Sequence, residues 1–280
     1  MTRLIETLIS GLSLGSIYAL MALGYTMVYG IAKMLNFAHG DIIMVGAYAV
    51  VTSVLTLGMP PLVAILISIA ICALLGITVE FLAYRPLRQA PPLAVLITAI
   101  GVSYLLQNVA LLIFGANAKA FTSVVSVPAL KLADGQINIT GETIVTIVSC
   151  LIIMAGLMLF INKTKAGQAM LAVSEDKGAA QLMGINVDGT IALTFAIGSG
   201  LAAVAGVLLC SAYPSLTPYT GSMPGIKAFV AAVFGGIGSI PGALVGGILL
   251  GIIEIFGKAY ISSQMADAIV CLLYTSDAAD

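Results

Sequence analysis

Tryptophan is absent from this 280-residue chain, histidine occurs once, and only 8% of positions carry a charge. Each scarcity closes off a class of protein. Soluble domains carry roughly 25% charged residues, so a soluble fold is excluded. A net charge of −1 offers no basic surface, and no nucleic-acid partner is expected. With His39 as the only imidazole, no nucleophile–base–orienter set can be assembled, which argues against a hydrolase. The four cysteines (Cys72, Cys150, Cys210, Cys271) lie far apart in apolar runs, without a CxxC or Cys/His pairing. They read as small buried hydrophobes, and no metal is expected. The phosphate-cradling pattern GxxxxGK followed by Ser or Thr occurs nowhere, since Gly257-Lys258 lacks both the earlier glycine and the hydroxyl. The expectation is that this chain binds no cofactor and that any ATP is used by another subunit. Without tryptophan, tyrosines near span ends (Tyr29, Tyr84, Tyr213, Tyr260) must supply the interfacial belt.

What the chain does have is apolar length. Apolar residues make up 60% of it, and the mean hydropathy is +1.14. A helix needs about 20 apolar residues to cross the hydrocarbon core. Residues 8–29, 42–57, 61–81, 93–114, 143–161 and 190–212 meet or approach that length. The run 225–260 is long enough for two short segments broken at Gly238-Ser239-Ile240-Pro241-Gly242, and a last run begins near Ala266 and stops at Leu273. The fold class expected is all-α, a polytopic transmembrane helical bundle with about eight membrane segments in a single domain over 1–280. The first run exceeds the roughly 7–15 residues of a signal-peptide core, so it reads as a transmembrane helix. No window shows the period-2 alternation of a membrane barrel. Gly11-xxx-Gly15, Gly242-xxx-Gly246 and Gly247-xxx-Gly251 are small-xxx-small patterns that let helix backbones approach closely.

Charge placement predicts orientation. Arg85 and Arg88 follow the third span, and Lys163, Lys165 and Lys177 follow the fifth. Two spans separate these groups, so the positive-inside rule puts both on the cytoplasmic side. The 115–142 loop, with only Lys119 and Lys131 as basic residues, then faces outward. Lys33 falls inside and the N-terminus outside, with Arg3 weakly opposed.

Residues 162–188 form a polar island between two apolar spans, holding Lys163, Lys165, Glu175, Asp176, Lys177 and Asp188. Its second half is punctuated like a short helix. Ser174 is placed to cap it, Glu175 and Asp176 suit the positive end of the dipole, and Gly184 stands where a left-handed C-terminal cap falls. Ala179, Leu182 and Met183 share one face. Two short surface helices joined at Ser174 would present a partly apolar knob to a soluble partner. An amphipathic loop lying on the lipid interface fits the same spacing.

Four stretches add a resemblance. GQAMLAVSEDKGAAQLMGIN resembles the cytoplasmic coupling segment of ABC importer permeases. LNFAHGDIIMVGAY (35–48), FGGIGSIPGALVGGILLG (234–251) and GLSLGSIYALMALGYTMVYGI (11–31) resemble the branched-chain amino-acid permease subunits of that class. The likeness runs in order to about Val270. It implies a multi-pass subunit of the bacterial inner membrane that forms part of a pathway for leucine, isoleucine and valine. The partners implied are a second permease, homologous or identical, two ATP-binding cassette subunits, a periplasmic or extracellular substrate-binding protein, and membrane lipid. The coupling segment is expected over 162–189, with Ser174, Glu175, Asp176, Ala179, Ala180, Leu182, Met183 and Gly184 facing the ATPase. Two departures stand out. Gln168 and Leu171 occupy positions where basic residues are expected, and the tail CLLYTSDAAD (271–280) reads as a truncated or aberrant end.

Other polar residues in the apolar runs are candidates in their own right. Asn36, His39, Gly40 and Asp41 cluster after the first span, and so do Gly235, Gly236, Gly238 and Gly242 in the late run. Both groups suit either packing or lining of the pathway, and the first also suits helix capping. A lone His–Asp pair lacks a third metal ligand. Glu254 is an intramembrane carboxylate, a functional candidate by default, yet Lys258 at i+4 offers a simple ion pair. Glu80 stands beside the Arg85/Arg88 turn, and Lys227 is placed to face the outer vestibule and attract a substrate carboxylate. Related permeases carry urea, short amides or other amino acids. A self-sufficient secondary transporter coupled through Glu254 or Asp41 is the reading from a different class.

Overall fold

The computed structural model describes residues 2–121, 127–132, 137–268 and 270. The run expected from Ala266 is therefore described only to Ala268 and at Val270, and the tail 271–280 lies outside the described residues. The chain is a helical bundle: α1 (Thr2–Ala32), α2 (His39–Leu55), α3 (Pro61–Val79), α4 (Pro92–Phe114), α5 (Gly141–Lys163), α6 (Lys165–Glu175), α7 (Lys177–Leu182), α8 (Val187–Ala212), α9 (Ser222–Phe234) and α10 (Ile240–Tyr260). Six of these are long and apolar enough to cross a membrane. The remaining apolar helices, α2 and α9, have 17 and 13 residues. At 1.5 Å per residue they reach only about 25 and 20 Å, short of the roughly 30 Å hydrocarbon core. Among the described residues the bundle thus has eight apolar helices, two of them partial.

The late run departs from expectation in detail. Its second half is a full 21-residue span, and the break covers Gly235–Ser239 rather than 238–242. The reason lies in Pro241. Proline suits the first turn of a helix, where its missing N–H is not needed, and Ser239 caps that turn by accepting from the Gly242 N–H. The reversal itself uses Gly236 and Gly238, both at positive φ.

Packing centres on α1, which is buried on all sides from Ile17 to Leu23. Its small face lies antiparallel against α10. A Cβ on Gly15 would stand 2.7 Å from the Ile248 Cα, one on Gly11 would stand 3.0 Å from the Ile252 Cα, and one on Gly251 would overlap the Gly15 backbone. The small-xxx-small patterns are therefore spent within this chain. α3, α4 and α5 form the periphery and turn apolar side chains outward, such as Leu62 and Leu112, as lipid-facing helices do.

The two partial helices meet by their first turns. Gly40 lies against Gly221 and the Gly225 Cα. From there α2 runs antiparallel to α3, as shown by Ser68 donating to the Gly46 carbonyl and Cys72 to that of Ile42. Past the middle of α2, Tyr48 stacks on Phe114 at the end of α4. On that same face β1 (Lys119–Ala120) pairs with β4 (Ser215–Leu216), and β2 (Leu130–Leu132) with β3 (Ile137–Ile139), both antiparallel. The described parts of the 115–140 connection and the connection 213–221 thus share one face of the bundle.

Two glycine substitutions separate close approach from mere helix propensity. Gly251→Val forces the α1–α10 contact apart and is expected to cost about 1–3 kcal/mol. Gly156→Ala, at an open position on α5, is expected to be neutral or to stabilise by about 0.5–1 kcal/mol. Thermal exposure of the buried thiols Cys72, Cys150 and Cys210 to a thiol-reactive dye reads both in detergent.

Candidate functional site

The polar island folds as two short helices, but they join at Asp176 rather than Ser174. Asp176 caps α7 by accepting from the backbone N–H groups of Gly178 and Ala179. Ser174 sits in the last turn of α6 and donates to the Leu171 carbonyl at 2.7 Å. The capping expectation for Ser174 is therefore corrected. A carboxylate two residues on makes two bonds to the orphan N–H groups, where a hydroxyl makes one. At the other end Gly184 adopts φ +84, and the Ile185 N–H reaches back to the Ala180 carbonyl, the 6→1 bond of a Schellman stop.

Burial sorts the faces of this segment. Met170, Val173 and Ala180 are buried against the bundle. Glu175, Asp176, Ala179 and Gly184 are exposed, and Leu182 and Met183 stand 90% and 83% exposed. Ion pairs clamp this platform to the spans. Arg85 and Arg88 both donate to Asp188 at the start of α8, and Arg88 also donates to the buried Glu80. Lys177 donates to the Ala32 carbonyl at 2.9 Å, tying α7 to the end of α1. Partial burial, with Arg88 and Lys33 nearby, holds the Lys177 ammonium below its usual pKa. These contacts put the Arg85/Arg88 turn and the island on the same face, opposite the two short sheets.

The cluster at the start of α2 is buried. Asn36 accepts from the Tyr84 hydroxyl at 2.9 Å, and the His39 ring lies against Tyr25. Asp41 accepts from Gln107 Nε2 at 2.9 Å, and the same amide donates to the Ser222 hydroxyl at 3.2 Å. The helix N-cap is Ala38, without a side-chain cap, so the capping reading of Asn36, His39 and Asp41 fails. Their side chains turn into the bundle, where only other spans can satisfy them. Gly40 sits at the meeting of the partial helices. Gly235 and Gly242 face each other at the α9–α10 reversal, while Gly236 and Gly238 form its turn.

A second polar centre lies on the far side of the first turn of α9. Glu254, 1% exposed, accepts from Lys258 at 2.5 Å, Lys227 at 2.8 Å and the Tyr18 hydroxyl at 2.8 Å. Lys227 also pairs with Asp267 at 2.6 Å. The Lys258 contact is legible at i+4 spacing. The others join four elements and are not, although Lys227 and Gln107 in otherwise apolar helices are each a signal that a partner must exist.

The chain matches known proteins over most of its length. A family model described as branched-chain amino acid transport system / permease component matches residues 7–275. The high-affinity branched-chain amino acid transport system permease protein LivH of Salmonella typhimurium is 43% identical over 277 residues, covering 95% of this chain and 89% of that protein. The corresponding permease protein BraD of Pseudomonas aeruginosa is 42% identical over 278 residues, covering 95% and 90%. A probable branched-chain amino acid transport permease LivH of Methanocaldococcus jannaschii is 30% identical over 255 residues, covering 89% and 79%.

The corrected cap has a direct check. Asp176→Ala is expected to remove about 1 kcal/mol from α7 and to speed amide exchange at 178–182, whereas Ser174→Ala leaves those amides unchanged.

Proposed function

Because the chain belongs to the family of branched-chain amino acid transport permease components, we propose that it forms half of an alternating-access pathway for leucine, isoleucine and valine in a bacterial inner membrane. A second permease, identical or homologous, supplies the other half. Two ATP-binding cassette subunits drive it, since these 280 residues contain no GxxxxGK pattern with which to hold a nucleotide phosphate. A substrate-binding protein delivers the amino acid to the opposite face.

One observation carries the reading. α7 is a capped, clamped helix that offers Leu182 and Met183 almost fully to solvent on the face that also bears Arg85, Arg88, Lys163, Lys165 and Lys177. The positive-inside rule makes that face cytoplasmic. Two large apolar side chains held rigid beside water are an unfinished interface, and a groove on a cytoplasmic ATPase completes it. The clamps give the contact mechanical reach. A push on α7 passes through Asp176 and Lys177 to the end of α1, and through the Arg85/Arg88–Asp188 pairs to α3 and α8. The thin basic content at Gln168 and Leu171 leaves the docking to shape and apolar contact more than to charge. A secondary transporter coupled through Glu254 is disfavoured, because that carboxylate is held by two lysines rather than free to exchange a proton.

Leu182→Glu combined with Met183→Glu is expected to lower co-purification of the ATPase subunits and ATP-driven leucine uptake by at least about tenfold, each charge opposing an apolar contact worth one to a few kcal/mol. The variant should retain its thermal stability, because neither side chain packs on the bundle. Undiminished uptake would remove α7 from the docking role.

A further inference from the structure

The contacts assigned to coupling leave unexplained why four charges, Lys227, Glu254, Lys258 and the half-exposed Asp267, gather at one place. We propose that the cavity between α1, α8, α9 and α10 is a transit site for a zwitterionic α-amino acid, a proposal that rests on the transport reading above. The cavity opens to the surface and measures about 220 Å³, below the roughly 300–1,000 Å³ of drug-sized sites, which is room for one amino acid. Its walls combine Lys227, Lys258, Glu254 and Tyr18 with the apolar Leu14, Leu209, Met223 and Pro224. Tyr213 and Lys258 stand at its exposed rim.

The hydrogen-bonding capacity is incomplete in a specific way. Among the described residues both lysines bond to Glu254 Oε1, while Oε2 receives only the Tyr18 hydroxyl. Oε2 therefore keeps accepting capacity. An ammonium has three N–H donors. Lys227 uses two, on Glu254 and Asp267, and Lys258 uses one. The site thus holds a spare acceptor on an acid and spare donors on bases within one small volume. A ligand ammonium meets Glu254 Oε2, a ligand carboxylate meets Lys258 and Lys227, and an aliphatic side chain lies on Leu14, Leu209 and Met223. A pure cation or pure anion satisfies only half of this. Stability alone is a weak reason for such a cluster, because buried ion pairs can often be exchanged for apolar packing without loss.

The test uses the assembled importer in nanodiscs without its binding protein, with ligand-observed NMR titration of leucine, leucinamide (no carboxylate) and isocaproate (no ammonium). Leucine is expected to bind at least about tenfold more tightly than either analogue, as one charged hydrogen-bonding contact warrants. Lys258→Met should erase the preference over leucinamide, and Glu254→Gln the preference over isocaproate. Met223→Trp narrows the cavity while keeping every charged side chain that lines it and should abolish leucine binding while the ATPase still co-purifies, which keeps the test decisive even where Glu254→Gln does not assemble. Equal binding of all three ligands, binding indifferent to Lys258→Met and Met223→Trp, or no binding of any ligand overturns the site. ATP-driven leucine uptake with the binding protein is measured in parallel. Uptake without cavity-dependent binding retains the transport reading and discards the site, and zwitterion-selective binding without leucine uptake does the reverse.

Discussion

The contact on which the rest of this molecule depends is the glycine-to-glycine seam between α1 and α10. In lipid there is no hydrophobic drive to bring helices together, so close van der Waals approach must do it. Gly11 and Gly15 meet the backbone at Gly251 and Ile252, and side chains longer than hydrogen would hold the two axes apart. With the axes close, Tyr18 on α1 reaches Glu254 on α10 at 2.8 Å. The reversal before α10 then brings α9 back along the same pair, which delivers Lys227 to the same carboxylate. One steric fact thereby places three elements and a charge cluster.

A second constraint governs the partial helices. Non-helical backbone inside a membrane is tolerated only where protein or a polar cavity covers it. α2 and α9 begin inside the bundle, and their first turns are shielded by each other through Gly40, Gly221 and Gly225. Of the polar side chains at these starts, Asp41 and Ser222 are bonded across spans by Gln107. Interrupted helices with polar starts are the usual way a transporter opens a polar route without exposing backbone to lipid. Here they stand next to the Glu254 cavity, so the polar features of the core cluster around the first turn of α9.

Energy would enter from the other end. The island between α5 and α8 is anchored by Met170, Val173 and Ala180, two ion pairs fasten its end to the Arg85/Arg88 turn, and a third holds Arg88 on Glu80. The exposed Arg85–Asp188 pair adds little stability singly, but joined through Arg88 to the buried Glu80 it belongs to a network that fixes the turn against α8. The exposed tip at Leu182 and Met183 thus sits on a segment fastened to the spans.

Much of this was legible from the chain itself. Hydropathy alone determined the all-α membrane class and the apolar segments, because lipid admits few backbone solutions. Glycine spacing marked α1 and α10 as closely packing helices, Gly184 marked the stop of α7, and i+4 spacing marked the Lys258–Glu254 pair, since each depends on residues near in sequence. What was misjudged were local competitions: Asp176 displaced Ser174 as the cap, and Pro241 drew the start of α10 upstream to Ile240. Only the tertiary structure decided that α2 and α9 meet by their first turns, that Lys227 and Tyr18 converge on Glu254, and that Arg88 bridges Glu80 and Asp188. These contacts join residues up to 236 positions apart. No periodicity encodes such partners, because an unpaired polar group in a membrane announces only that it needs one.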